Sequence, residues 1–250
     1  MHKNIAVVLV GCSIFWSAIV SAGQMGRYGQ SEGWPLVVTL SGGPAWLHGE
    51  KRQTLWLSPE IVKTYTVKDN DNTLWAAELF LGYNGQLSSM IQGQLGLAIA
   101  GISSATLKGD IWDDAEPLFD NFTYSYKVRH AHLAVKAKLL ADVGYNFLPY
   151  VSGSLGFASN RASNFRNDPK IFEAIAMPAF KNKTTSSAAY TAGVGIEMPF
   201  STNWRAGIGY EFTDWGKVKL GLAPGQTTNS LLTSNSLYTQ QFQLSLSYLA

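Results

Sequence analysis

The sequence predicts an all-β fold, an eight-stranded antiparallel up-and-down transmembrane β-barrel. Three observations lead to this prediction. The composition is poor in charge and rich in aromatic residues, eight segments alternate between large apolar and small or polar residues, and the connections between the segments are alternately long and short. This combination indicates strands that meet lipid on one face.

The composition excludes several classes of protein. Of the 250 residues, 14% are charged and 46% are hydrophobic, and there are 8 Trp, 11 Tyr and 12 Phe. A formal net charge of +2 and a single Cys exclude a polybasic nucleic-acid binder and a disulfide scaffold. We therefore expect no nucleic-acid partner. We also expect no cofactor, since the sequence contains no P-loop, dinucleotide fingerprint or zinc-protease motif.

Residues 1–22 have the features of a cleavable signal peptide, which leaves residues 23–250 as the barrel domain. An apolar stretch over residues 5–20 ends in Val20-Ser21-Ala22, a small-residue cleavage pattern. A retained membrane anchor and a lipoprotein signal ending at Cys12 remain alternatives. Later in the chain no apolar stretch reaches the roughly 18–20 residues that a membrane-spanning helix needs. We therefore expect the protein to be exported.

The clearest alternation runs from Arg129 to Tyr145. Its odd positions from Ala131 onward are apolar, whereas its even positions include His130 and Lys136. A period of two is that of a β-strand with one apolar and one polar face. The other seven segments are 36–41, 75–84, 91–99, 151–157, 190–197, 204–213 and 241–248.

The two faces of these segments differ in size and charge. The apolar face is bulky and uncharged, and a charge on a lipid-facing position would cost about 2–4 kcal/mol near the membrane midplane. The opposite face is small enough for the narrow interior of an eight-stranded barrel, and we expect its charges to pair there. A soluble β-sandwich remains the alternative. The predicted lumen charge network consists of Glu78, Lys136, Lys138, Asp142, Glu197, Arg205 and Glu211.

The connections set the predicted topology. Long connections (47–73, 104–127, 159–187 and 214–237) alternate with short ones (85–90, 146–149 and 199–203), as in a barrel with tight periplasmic turns and extended outer loops. Aromatic residues at segment ends fit interfacial girdles. The predicted girdle contains Trp34, Trp46, Trp75, Tyr83, Tyr145, Tyr150, Trp204, Tyr238 and Tyr248.

Two long loops carry structural predictions of their own. In the first, Gln53–Leu57 and Ile61–Val67 can extend strands above the membrane, so a barrel of ten strands is the alternative architecture. In the third, Asp168-Pro169 is a helix-start signal and Pro178 a stop signal, which predicts a short helix. A host surface ligand, if one exists, would bind through such loops.

Three patterns resemble those of small Gram-negative outer-membrane barrels. They are Ala192–Glu197, Asn203–Phe212 and the terminal strand Phe242–Tyr248, and they are similar to the opacity-type porin family and the transmembrane domain of outer-membrane protein A. The resemblance implies surroundings of outer-membrane lipid and lipopolysaccharide and insertion by the barrel-assembly machinery. That family usually ends in an aromatic residue. Because this chain ends Tyr248-Leu249-Ala250, the assembly signal is expected at Phe242 and Tyr248.

The expected function is an envelope-structural or surface-interaction role through long extracellular loops, with no enzymatic activity. A narrow pore for small solutes is the alternative, and a lipid-modifying enzyme is less favoured. His130 and His132 share a strand face, with Ser125 and Asp142 nearby in sequence, and a hydrolytic dyad would need a Ser hydroxyl within about 3 Å of an imidazole. Two histidines are too few ligands for a structural zinc site, so no metal is expected.

Overall fold

The computed structural model describes residues 34–49, 52–68, 73–175 and 178–250, and these form strands together with one short 3₁₀ turn at Pro117–Phe119. The signal peptide predicted over residues 1–22 lies outside the described residues. The strands are β1 (Leu36–His48), β2 (Arg52–Ser58), β3 (Ile61–Val67), β4 (Thr73–Ser88), β5 (Ile91–Ile102), β6 (Ala105–Asp113), β7 (Asp120–Ala141), β8 (Leu148–Pro169), β9 (Lys183–Pro199), β10 (Trp204–Asp214), β11 (Val218–Lys219), β12 (Thr233–Ser234) and β13 (Tyr238–Leu249).

Eight of these strands form a closed antiparallel ring. Their order is β7, β5, β4, β1, β13, β10, β9 and β8, and β8 pairs again with β7. Each ring strand contains one of the eight segments predicted from alternation, except that β7 ends at Ala141, four residues before the predicted end at Tyr145. The connections after β4, β7 and β9 are short and lie at one end of the ring, here called the lower end. The longer connections, which contain the remaining strands, lie at the upper end.

The bulky apolar face of the ring strands points outward, as predicted. Leu133, Ile208 and Leu244 are 53%, 56% and 70% exposed, whereas Lys136 and Glu211 are 4% and 3% exposed. A β-sandwich would bury the apolar set and expose the charges, so this alternative is wrong. A closed ring also leaves no unpaired strand edge around its circumference.

A second, smaller sheet region stands on the upper end of the ring. The lower half of β7, Ala131–Ala141, pairs with β5, and its upper half, Asp120–Val128, pairs with β6. The β2–β3 hairpin then adds to the free edge of β6. The prediction that the first loop extends strands is confirmed. The ten-strand alternative is wrong, because β2 and β3 pair above the ring and never enter it.

The upper region has a hydrophobic core of its own, here called the upper core. β7 has 22 residues, hence a length of about 70 Å, while a transmembrane strand needs only about 9–11 residues. The upper halves of β7 and β8 therefore project beyond the length that a bilayer requires. The upper core consists of Leu55, Tyr65, Leu107, Ile111, Phe122, Tyr124, Tyr126, Val128, Ala162, Phe165, Phe180, Val218, Leu220, Leu232 and Leu237.

The helix predicted in the third loop is not formed by residues 170–175, the described part of that segment. Asp168 and Pro169 are the last residues of β8, where Asp168 pairs with Thr123 of β7. Ladder pairing thus continues through the predicted start signal, and the residues that follow form a turn. In β8, Asn164 has a φ of 57° and interrupts the alternation, so that Phe165 turns into the upper core. Among the described residues, no helix is long and apolar enough to cross a membrane.

Candidate functional site

The centre of the ring interior is occupied by a buried ion triad. Lys136 on β7 extends to two strands at once: its Nζ lies 2.5 Å from Oε1 of Glu78 on β4 and 2.6 Å from Oε2 of Glu211 on β10. Gln241 donates a further hydrogen bond of 2.9 Å to the other oxygen of Glu211. Since β4 and β10 lie on different sides of β7 around the ring, the triad ties the walls together across the interior.

A second group of charges lies next to the triad. Nζ of Lys138 is 2.7 Å from Oε1 of Glu197, and Nη1 of Arg205 is 3.9 Å from the other oxygen of Glu197. Arg205 also donates a 3.0 Å hydrogen bond to Gln92. The Lys138 ammonium lies 4.5 Å from the centre of the Tyr150 ring. Tyr150 was predicted in the aromatic girdle, and this is wrong: it points inward and is 8% exposed.

The structure brings six of the seven predicted network residues together and leaves Asp142 out. Asp142 lies in the exposed turn after β7, where its Oδ1 accepts a hydrogen bond from the Gly144 amide. The alternation in the sequence continues to Tyr145, but the strand ends at Ala141, so Asp142 does not have the inward position that the alternation suggested. Gly144, with a φ of 77°, then supplies the left-handed conformation that the turn requires.

Little space remains around these charges. The cavity lined by Glu78, Lys136, Lys138 and Tyr150 has a volume of about 10 Å³. This is roughly the space that one water molecule needs. The side chains therefore fill the interior at this level, as expected for eight strands.

Trp215 closes the interior above the charges. It follows β10, is 2% exposed, and donates a 2.8 Å hydrogen bond from Nε1 to Thr239. Its ring contacts His130 and His132, with centroid distances of 5.3 and 4.8 Å. Asn160 holds the backbone in place by donating to the Trp215 carbonyl at 2.7 Å. Sequence reasoning missed Trp215, because it lies in an irregular segment without periodicity.

The histidines do not assemble the hydrolytic site considered from the sequence. His130 and His132 face the interior, and Nδ1 of His130 hydrogen-bonds Oδ1 of Asn160 at 2.7 Å. Ser125 lies on the opposite, outward face of β7. An odd sequence separation along a strand puts side chains on opposite faces, which explains the difference. Within residues 34–49, 52–68, 73–175 and 178–250 no cluster of three or more metal-ligating side chains occurs.

The upper core is rich in aromatic contacts. Tyr65 meets Tyr124 and Phe180 at centroid distances of 5.5 and 5.7 Å, and Phe165 meets Phe180 at 4.9 Å. Burial raises the pKa of Tyr65 and Tyr126 above the usual value for a tyrosine. A cavity of about 540 Å³ lies beside this core. It lies between the upper end of β1, the lower ends of β2, β3 and β6, the side chains of Tyr124 and Tyr126 on β7, and the segment that precedes β13.

The other predicted girdle residues are at the outer surface. Trp75, Tyr83 and Tyr145 are 67%, 56% and 72% exposed. Trp34, Trp46 and Trp204 are also exposed, and Tyr238 and Tyr248 are partly exposed. Phe242, half of the predicted assembly signal, points outward and packs edge-on against Trp46. The role of Phe242 and Tyr248 in assembly stays a prediction.

Comparison with models of known protein families identifies one family. The family model described as "Outer membrane protein beta-barrel domain" matches residues 52–249. Among solved structures, the chain is similar to the protease OmpT from Escherichia coli, at 10% identity and a TM-score of 0.46, covering 91% of this chain and 99% of that one. OprG from Pseudomonas aeruginosa (12% identity, TM-score 0.42, 87% and 97% covered) and Neisserial surface protein A (10%, 0.41, 85% and 96%) are also similar. No curated protein matches the sequence.

Proposed function

This chain belongs to the outer-membrane β-barrel family of the bacterial outer membrane, and we propose that it is an eight-stranded up-and-down transmembrane barrel that does not conduct solutes. We propose further that it acts through its surface, in an envelope-structural or surface-interaction role. The observation that carries the proposal is the closed interior. Paired charges, a void for about one water, and the Trp215 side chain follow one another along the axis of the ring.

The proposed orientation follows from the unequal ends of the ring. Short turns face the periplasm in barrels of this type and longer connections face outward, so the upper core would lie outside the cell. The outward apolar positions of β7 between Ala131 and Ala141 span about the length of strand that a bilayer requires. Lys127 and Arg129, which follow at the upper end, would then lie at the membrane surface.

The charge triad supports a plug because its parts constrain each other. A buried ammonium between two carboxylates is favourable only while both contacts persist, since an unpaired charge in this interior is costly. Opening a water path would require Lys136 to leave Glu78 or Glu211, and Trp215 would still cover the opening. The upper section supports a surface role, because a packed core holds its strands and gives its 540 Å³ cavity a defined shape.

Planar-bilayer recording tests the closed interior. We expect no steady unitary current from the wild-type protein. The variant Glu78→Ala/Lys136→Ala/Lys138→Ala/Glu197→Ala/Glu211→Ala/Trp215→Ala removes both groups of paired charges and the Trp215 side chain, and it should conduct, which also demonstrates insertion. The matched control Leu79→Ala/Leu133→Ala shortens outward side chains on β4 and β7 and should stay silent. Steady wild-type currents that change when Lys136 alone is substituted would support the alternative of a narrow pore.

A further inference from the structure

The outward-facing apolar residues of each ring strand form a run, and the residue at the upper end of this run differs between strands. On β1, β10 and β13 the upper end of the run is aromatic, at Trp46, Phe212 and Tyr238. On β7 and β8 it ends in arginine, at Arg129 and Arg161. Aromatic rings and arginines both suit the boundary between hydrocarbon and water, but only the arginines carry a charge that needs a partner.

Arg129 and Arg161 are direct neighbours across the β7–β8 ladder. Both are exposed, and facing positions put Cβ atoms about 4.5–5.5 Å apart, where like charges repel. Lys127 and Arg166 lie further up the same two strands and are exposed as well. Within the described part of the chain, none of these four side chains takes part in an ion pair.

Two acidic side chains of the neighbouring upper strands bind other cations. Asp110 on β6 lies 3.0 Å from Lys68 and 2.8 Å from Lys170, and Asp120 on β7 lies 2.5 Å from Lys170. Asp110 and Asp120 are therefore already paired. Asp168 on β8 forms no ion pair with the described residues, but it faces Thr123, which is six residues or about 20 Å along β7 from Arg129. An anion from outside the chain that contacts both Arg129 and Arg161 would relieve the repulsion between them.

The rungs below the arginines complete an amphipathic strip. Two residues below the arginines on each strand, Ala131 faces Ser159, and both side chains are small. Two residues further down, Leu133 faces Phe157, and these side chains are 53% and 77% exposed. The apolar rung lies about 13 Å below the arginine rung. A ligand that fits this strip has an anionic head at the arginines and a hydrocarbon chain across the small rung and the Leu133–Phe157 rung.

We propose that the outward face of β7 and β8 binds the phosphate group of a phosphorylated outer-leaflet glycolipid between Arg129 and Arg161. This inference rests on the membrane orientation given under the proposed function. Guanidinium forks bind phosphate oxygens in pairs, so one phosphate can bridge both arginines. Lys127 and Arg166 add attraction for further phosphates. The exposed Leu133 and Phe157 select a lipid over a soluble polyanion, which has no hydrocarbon to place there.

Binding of diphosphorylated lipid A to the folded protein in detergent micelles tests the proposal. The variant Arg129→Gln/Arg161→Gln should weaken binding at least about tenfold, because it removes the charge-assisted hydrogen bonds. Arg129→Lys/Arg161→Lys keeps the charge but loses the forks and should fall between this variant and the wild type. The control Lys181→Gln/Lys217→Gln removes two other exposed positive charges and should bind like the wild type.

Three results would overturn the proposal. One is equal lipid A affinity of the Arg129→Gln/Arg161→Gln variant and the wild type. Another is equal wild-type affinity for lipid A and its dephosphorylated form. A third is tight binding of heparin that depends on these arginines while lipid A binding does not, which would indicate a soluble polyanion. Because binding is measured in micelles, it can fail while the bilayer recording stays silent, so this failure is distinguishable from failure of the proposed function.

Discussion

The ring interior and the upper core lie on the inward face of the same strands, yet their chemistry is opposite. On the inward face of β7, Lys138 and Lys136 lie at the lower level, whereas Tyr126 and Phe122 lie at the upper level. The outward face of β7 changes in the opposite direction, from the apolar Leu133 at the lower level to the charged Lys127 at the upper level. What surrounds a strand, rather than the strand itself, determines which face is apolar.

The two interiors are stabilised by different interactions. In the proposed orientation lipid surrounds the ring, so apolar residues occupy the outside, and the narrow interior is filled by small and charged groups whose stability depends on pairing. Where water surrounds the strands, burial of aromatic residues drives packing, at roughly 25 cal/mol per Å² of apolar surface. Trp215 lies between the two, in contact with His132 below and followed in sequence by Val218 of the upper core.

The largest expected effect is a loss of stability when the charge pairing in the ring interior is broken. Lys136→Met leaves Glu78 and Glu211 buried without their cation, and it should destabilise the protein by about 3–5 kcal/mol. Urea unfolding in lipid vesicles, followed by the different gel migration of folded and unfolded barrels, measures this change. The variant Glu78→Gln/Lys136→Met/Glu211→Gln removes all three charges and should recover most of the loss. If Lys136→Met costs less than about 1 kcal/mol, the ring interior does not depend on the pairing.

A smaller and more local effect is expected in the upper core. Phe165→Ala removes a ring that packs on Tyr124 and Phe180, with a cost of about 3 kcal/mol confined to the upper section. Protease cleavage of the upper strands should accelerate while the ring keeps its folded gel migration. Phe172→Ala, the same change at a fully exposed position, is the control and should be neutral. Simultaneous loss of the ring would mean that the two regions unfold as one unit.

Much of the ring could be predicted from the sequence, because lipid imposes a strict period of two on every crossing strand. The outward positions of Leu133 and Leu244 and the inward position of Glu211 follow from that period alone. So does the closeness of Lys136 to carboxylates, since a narrow interior leaves charges few partners. The exact pairs depend on the register between strands, which alternation within one strand does not specify.

The upper core was missed although the sequence carries a signal for it. On β7 the apolar positions are even from Phe122 to Val128 and odd from Ala131 onward, so the phase of alternation changes at Arg129. Such a change indicates that the strand leaves lipid for water. The long connection predicted at 104–127 is instead largely strand. The sequence pattern gives no such indication for Trp215 or Phe165. Trp215 lies in an irregular segment, and the inward position of Phe165 depends on the bulge at Asn164.

The smallest expected effect concerns acid sensitivity of the upper section. Asp110 on β6 forms an ion pair with Lys170, which follows β8. Partial burial alone would raise the pKa of Asp110, but hydrogen bonds from Lys170 and Lys68 hold this pKa below its usual value. A lowered folded-state pKa stabilises the fold above the unfolded pKa of about 3.9, and this contribution is lost as pH falls through the folded pKa. Asp110→Asn should therefore cost up to about 1 kcal/mol at pH 7 and less at pH 2.

Protease resistance of the upper strands, measured at both pH values with an acid-stable protease and one active at neutral pH, checks this prediction. The control Asp168→Asn changes an exposed carboxylate that forms no ion pair with the described residues, and it should match the wild type at pH 7. A difference between wild type and Asp110→Asn that is as large at pH 2 as at pH 7 would contradict the ionic origin of the effect. If the wild type and the Asp110→Asn variant become equally protease-resistant at pH 2, the upper section contains an acid-sensitive ionic contact. That contact would lie in the water-exposed region and not in the lipid-enclosed ring.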